Sequence, residues 1–263
     1  MREIVWQESP DAASQPASAE EARERLEAGN RGFAEAGGQD GRHVVPVGRE
    51  AFGLPREEGA GLPQEPFAAL LGCADARVPA ELVFGQVTNS LFVVRVAGNI
   101  LGTECVGSLH YAAGNIPTVR LVTVLGHSAC GAVSAAVDGF LDPAAYLAVV
   151  HDQQLRAVVD PLLAGVRLAA LALGRAHGDA VTGAEGYRDA LVSVATVANA
   201  AISATVLAAD LDKPVALGVF DLASRRVGLP AGDGWRAGLV DPPSGASGLE
   251  ALLADVVAGQ SLG

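Results

Sequence analysis

The stretch "RLVTVLGHSACGAV", residues 120–133, starts as an apolar run, passes through a short polar turn and enters a helical pattern. A run of that length, bounded by turn residues, reads as a strand buried on both faces. Three other runs have the same character: "FAALLG" (67–72), "LFVVRV" (91–96) and "PVALGVF" (214–220). Helical patterns lie between them: "VPAELVFG", "CVGSLHYAAGN" and a long Ala-rich stretch from 131 to 210. Strands alternating with helices predict an α/β fold, with a central, mainly parallel β-sheet flanked by helices. "RRVGLP" after Asp221 reads as a returning edge strand, "AGDGWRAGLVDPPSGASG" as loop, and "LEALLADVVAG" as a closing helix.

Upstream of the sheet, "SAEEARERLEAGNRGFAE" (18–35) predicts an N-terminal helical arm. Ser18 can cap it, Glu21 completes a capping box, and Gly29 offers a stop. A helix there could cover a small-residue core across a two-fold axis. Residues 1–17, rich in Ser, Ala, Pro and acids, read as a mobile arm, and 37–64 as a long surface loop. Residues 18–263 then form one α/β domain.

Half of the 263 residues are hydrophobic and 18% are charged, so the chain can bury a large core. The net charge of -12 argues against nucleic acid or an anionic membrane surface as partner. The apolar runs are strand-length, which predicts no membrane span. The N-terminus lacks a basic segment followed by an apolar one, so a cytoplasmic location is expected. Three cysteines, Cys73, Cys105 and Cys130, make an odd and widely spaced set, poor for disulfides and suited to metal or redox work.

Two chemistries compete for "GHSACG" (126–131). Ser128 after Gly126-His127 suggests a nucleophile elbow, but that motif needs Gly-x-Ser-x-Gly. Here Cys130 holds the last position and Gly131 comes one place late. The other reading pairs His127 with Cys130 as ligands of one metal. A second segment, "LLGCADARVPAE" (70–81), favours it. Cys73 stands where the first strand should end, and in extended backbone Cys73, Asp75 and Arg77 point to one side. Ligand crevices of open parallel sheets lie at the carboxyl ends of strands. If the two strands are neighbours, two thiolates and an imidazole converge, a donor set suited to Zn²⁺. Three protein ligands leave a fourth position open, as a catalytic site requires. A guanidinium keeps a neighbouring carboxylate ionised and directs it through a fork of hydrogen bonds. Asp75 so held by Arg77 could hold the proton of a zinc-bound hydroxide by a hydrogen bond and aim the oxygen lone pair. Cys105, inside the helical "TECVGSLHY", reads as core.

Together these segments resemble the β-class carbonic anhydrases. The resemblance runs roughly from residue 18 to 230. It rests on "GCADARVPAE" and "VLGHSACGAV", supported by "EARERLEAGNRGF", "LFVVRVAGN" and "VALGVFDLASRRV". It implies zinc ligands Cys73, His127 and Cys130, one zinc per chain, and a catalytic dyad of Asp75 and Arg77. It also implies a substrate pocket that includes Gln64, nine residues before Cys73, with Phe92, Tyr111 and Gly131. From the residue patterns alone, Phe92 and Tyr111 read as core and Gln64 as a solvated loop residue. The family's site lies at a dimer interface, so the resemblance implies a homodimer or higher even oligomer. Departures are local: Val96 follows Arg95 where the family often has Asn, "GQVTNS" lacks a Gly-Asp, and His110 precedes Tyr111. Leu70 stands where bicarbonate-regulated members have a tryptophan, which argues against that allosteric pocket.

The reaction expected is reversible hydration of CO₂ to bicarbonate, with zinc lowering the pKa of its water toward about 7. His43, His110, His151 and His177 are shuttle candidates by residue type only. A carbonyl sulfide or carbon disulfide hydrolase on the same scaffold is the nearer rival, and a serine hydrolase using Ser128 the remoter one. A non-catalytic zinc-stabilised protein would need a fourth ligand and no dyad.

Overall fold

A computed structural model describes residues 3–8, 15–36, 42–48, 59, 61–232, 234–260 and 262. Strands β3 (Ala68–Gly72), β4 (Leu91–Arg95), β5 (Leu121–His127) and β6 (Val215–Phe220) match the four apolar runs. They form the parallel part of a six-stranded sheet of order β4-β3-β5-β6-β7-β8. β7 (Val227–Ala231) and β8 (Gly234–Ala237) continue it antiparallel. β8 lies within the segment read as loop. It is four residues long and mostly exposed, and it carries no apolar alternation that would mark it.

Strand side chains separate into two cores with a period of two. Ala69, Leu71, Val122, Val124, Leu217 and Val219 face a core shared with α3 (Thr103–Asn115), α4 (Gly131–Leu141), α6 (Gln153–His177), α7 (Tyr187–Asp210) and α8 (Gly245–Ala258). Ala68, Leu70, Leu121, Leu125 and Phe220 face the opposite core, with α1 (Ala19–Glu35) and α2 (Ala80–Val83). The sheet is therefore covered on both faces, as continuous apolar strands require. The Ala-rich stretch holds four α-helices. α5 (Pro143–Val150) has Asp142 at its cap and Pro143 at its first position, and α6 has Asp152 as its cap.

The buried residues of α1, Ala22, Leu26 and Phe33, pack against their own chain's sheet beside Leu70, Leu121 and Phe220. Ser18 accepts from the Glu21 N–H at 3.1 Å, as expected of its cap. Leu26 is fully buried, worth about 1.5–3 kcal/mol for a side chain of that size. The helix passes through Gly29 instead of stopping there. A Cβ at Gly29 would stand 1.8 Å from the Phe84 carbonyl oxygen, so glycine serves close helix–helix approach. Asn30 then ties α1 to α2 and β7, donating to the Val83 carbonyl and accepting from the Val227 N–H.

Two short strands occur where an arm and a loop were expected. β1 (Glu3–Glu8) and β2 (Arg42–Val47) pair in parallel. Their β-branched centres, "IV" and "VV", are too short to register against the Ser-, Pro- and Gly-rich flanks. Two helices, α6 and α7, are long and apolar enough to cross a membrane by length and composition. The sequence reading missed this because it weighed only uninterrupted apolar runs. In α7 the apolar residues are spent on the core, which takes its Leu191, Val194, Val197, Ala201 and Leu207.

Candidate metal centre

β3 connects to β4 on one side and β5 connects onward to β6 on the other, so the strand order reverses between β3 and β5. Their carboxyl ends open a crevice at that point. The register pairs Gly72 with Leu125, which sets Cys73 beside the end of β5, where His127 is the last residue. The Ser128–Cys130 turn is made by Ala129 in the left-handed region (φ 52°), and it returns Cys130 toward Cys73 before α4 begins.

Cys73, His127 and Cys130 are all buried, and their donor atoms lie within 4.8 Å of one another. The two sulfurs are 4.0 Å apart. Two sulfurs bound at about 2.3 Å to a tetrahedral zinc would stand about 3.8 Å apart, so the pair is close to ligating geometry. His127 is completely buried, and its Nε2 has no hydrogen-bond partner among the described residues. An orphaned buried nitrogen costs stability unless something binds it. Two thiols and a free imidazole nitrogen around one point fit a soft or borderline divalent metal, zinc foremost.

Without a metal the sulfurs share a proton. The hydrogen bond from Cys130, against the opposing effect of burial, holds Cys73 down to about 4, and the Asp75 and Gly98 N–H groups assist. The Gly98 N–H stands 3.3 Å from the Cys73 sulfur. Donating to Cys73, and then burial, push Cys130 up.

Asp75 and Arg77 form a closed pair at the crevice mouth. Asp75 Oδ1 accepts from Arg77 Nε at 2.9 Å, and Oδ2 accepts from Nη2 at 2.7 Å. Oδ1 also accepts from the Arg77 backbone N–H at 2.9 Å. That contact makes the segment a tight turn, so the pair does not arise from alternation along extended backbone. The Arg77 fork holds the Asp75 carboxyl well below the usual carboxylate range. Asp75 Oδ2 is 3.8 Å from His127 Nε2, so the carboxylate borders the donor cluster while bonded to Arg77. Arg77 also donates to the Ala129 carbonyl at 3.2 Å, linking the two segments.

Other predicted residues lie as follows. Phe92 is half-buried against the core that contains Cys73 and Cys130. Tyr111 is 53% exposed, so it is not a core residue; it sits on a face of α3 that the chain leaves uncovered. The two rings are 6.3 Å apart. Gln64 is exposed on the approach to β3. Gly131 opens α4, and a Cβ there would meet nothing within 4 Å. Leu70 is fully buried in the α1-side core. Ser128 Oγ donates to Asp221 at 3.0 Å and accepts from the Leu222 N–H. Its hydroxyl is thus committed to a carboxylate rather than to an imidazole base, which removes the support for a serine nucleophile.

Sequence reasoning missed Arg95, Asn199 and Asp221. Arg95 donates from Nε to the Cys73 carbonyl at 2.9 Å and from Nη2 to the Asp75 carbonyl at 2.6 Å, pinning the first segment. A cation closing the apolar "LFVVRV" was the available signal. Asn199, buried on α7, donates to the Gly98 carbonyl at 2.8 Å. Nothing local in the Ala-rich helix marks it beyond its polarity.

The fold and the donor cluster define an α/β protein with a Cys₂His group able to hold a metal at the switch point of a mainly parallel sheet. A family described as carbonic anhydrase matches residues 68–202, about half of the chain. The chain belongs to the β-class carbonic anhydrase family. It is 46% identical over 79 residues to carbonic anhydrase 2 of Mycobacterium tuberculosis, covering 30% of this chain and 38% of that protein. The carbonic anhydrase of Mycolicibacterium smegmatis is 42% identical over 83 residues, 32% of this chain and 40% of that protein. The matched stretch thus spans about two fifths of these relatives. Among solved structures, a tetrameric β-carbonic anhydrase of Sordaria macrospora aligns at 21% identity with a TM-score of 0.47, over 63% of this chain and 80% of that one.

Proposed function

We propose that the chain catalyses the reversible hydration of carbon dioxide to bicarbonate and a proton, with one zinc held by Cys73, His127 and Cys130. The observation that carries this reading is the buried donor triad, with its unpartnered His127 Nε2, beside a carboxylate already gripped by Arg77. Zinc at such a site supplies Lewis-acid activation of water near neutral pH.

The chain's own residues supply the rest. Asp75, ionised and held at two oxygens, accepts the hydrogen bond of the attacking water and aims its lone pair. Arg77 keeps that carboxylate from turning. Arg95 fixes the backbone on both sides of it. Phe92 and Tyr111 offer an apolar wall for a nonpolar gas molecule, with Gln64 and Gly131 at the approach. The exposure of Tyr111 supports a second copy of the chain as the element that closes this wall, and so an even oligomer.

Stopped-flow hydration of CO₂, with zinc measured on the same samples, tests the proposal. Activity should rise in proportion to zinc content. A zinc-loaded chain that leaves CO₂ hydration at the buffer rate would refute it.

A further inference from the structure

Ser128 stands between two of the three donors and takes no part in the reaction drawn above, yet each of its polar groups has a bonding partner. Its N–H donates to the Phe220 carbonyl at 2.9 Å, extending the β5–β6 ladder past the His127–Phe220 pair. Its Oγ donates to Asp221 Oδ1 at 3.0 Å and accepts from the Leu222 N–H at 2.9 Å. Asp221 is itself fixed in the β6–β7 turn. Its Oδ2 accepts from the Ser224 N–H at 2.8 Å, its N–H donates to the Arg226 carbonyl, and its carbonyl accepts from the Arg225 N–H. Burial pushes the Asp221 carboxyl up, but the hydrogen bonds from Ser224 and Ser128 outweigh it and leave the group below its ordinary value. It is therefore an ionised acceptor at neutral pH.

The remaining group of Ser128 is its carbonyl, 3.0 Å from His127 Nδ1. A carbonyl oxygen can only accept, so Nδ1 carries the proton and Nε2 carries the lone pair. Nε2 is the orphaned atom beside the two sulfurs. The tautomer is thus set by a peptide group whose orientation depends on a side chain 93 residues away.

We propose that Asp221 and Ser128 are positioning residues for His127: they clamp the Ser128 peptide so that its carbonyl holds the imidazole in the tautomer and rotation that present Nε2 to a metal. The inference rests on the metal centre proposed above. Outer contacts of this kind typically change metal affinity by about 10–100-fold.

The test uses the full zinc-loaded chain. Zinc release into excess 4-(2-pyridylazo)resorcinol is timed, and the visible spectrum of the cobalt(II)-substituted chain is recorded. Ser128→Ala and Asp221→Asn should release zinc about 10–100-fold faster and alter the cobalt spectrum. Ser128→Thr, which keeps the hydroxyl, should restore both. Asp138→Asn breaks an ion pair with Arg188 elsewhere in the fold and should release zinc at the parent rate. Parent-like release and spectrum in Ser128→Ala and Asp221→Asn would overturn the inference, as would equal acceleration in Asp138→Asn. A parent chain that takes up no zinc overturns the metal centre, and the inference with it. If the variants do not fold, the parent decides: ¹⁵N-histidine spectra of its zinc form should show the His127 proton on Nδ1, and a proton on Nε2 refutes the assignment.

Discussion

The two segments that meet at the crevice are built on opposite plans. The segment after β3 is open: Arg77 is more than half exposed, and Asp75 borders solvent. Its geometry is imposed by long cationic side chains, Arg77 on the carboxylate and Arg95 on the backbone. The segment after β5 is closed. His127 and Cys130 are buried, and Ser128 is bonded to the neighbouring strand and turn. Its geometry is imposed by short, satisfied hydrogen bonds. The difference follows from what each segment offers. Buried donors cannot be oriented by water, so the turn that carries them is held by bonds within the protein. The Asp75–Arg77 pair, by contrast, keeps a wet side.

The contrast breaks first at the buried donors. Cys130→Ser or His127→Ala should abolish zinc binding and CO₂ hydration together, measured by metal analysis and stopped flow; full zinc occupancy in either variant would show that the triad is not the site. Arg77→Ala probes the open segment and should separate the two properties. Zinc should stay, while kcat/KM falls about 10²–10⁴-fold, the usual worth of one orienting acid–base contact. The same variant carries a pH signature. Because Arg77 lowers the Asp75 carboxyl, the pair's contribution is in force above the ordinary carboxylate value and is lost as pH falls through the lowered one. Arg77→Ala should move that loss up toward the ordinary value of about 3.9, read by ¹³C carboxyl titration.

Smaller effects are expected from the residues that back the site. Gly98 has φ 65°, and a Cβ there would stand 3.0 Å from Leu162 Cδ1 and 3.1 Å from Ala132 Cβ. Strain and overpacking together should make Gly98→Ala cost about 3 kcal/mol in urea unfolding. Asn199→Ala leaves the Gly98 carbonyl without that donor and should cost about 2 kcal/mol by the same measurement. An unchanged unfolding midpoint in Asn199→Ala would mean that α7 does not brace the loop under Cys73, and in Gly98→Ala that α4 and α6 leave room beneath it.

The parallel core was legible because buried strands are written as uninterrupted apolar runs, and all four stand within a residue of where they were read. The donors were legible because Cys73 and His127 fall at strand ends. β8 and the β1–β2 pair escaped because exposed or short strands carry no burial signal. The purpose of Gly29 escaped because a helix stop and a close helix contact use the same residue. Asp221 and Asn199 escaped for a different reason. Their partners lie 93 and 101 residues away, and no local spacing encodes such a contact.

The donors are also unevenly spaced along the chain. His127 and Cys130 are neighbours in sequence, whereas Cys73 lies 57 residues from Cys130. The denatured polypeptide therefore keeps a two-donor clamp for metal, and the third donor returns when β3 docks beside β5. A metal stabilises a fold by its preference for the native over the denatured chain, and each tenfold of preference is worth about 1.4 kcal/mol. Of the three donors, Cys73 is the one that links metal occupancy to completion of the sheet. Cys73→Ser should leave the denatured chain's hold on zinc nearly unchanged while removing most of the metal's protection against unfolding.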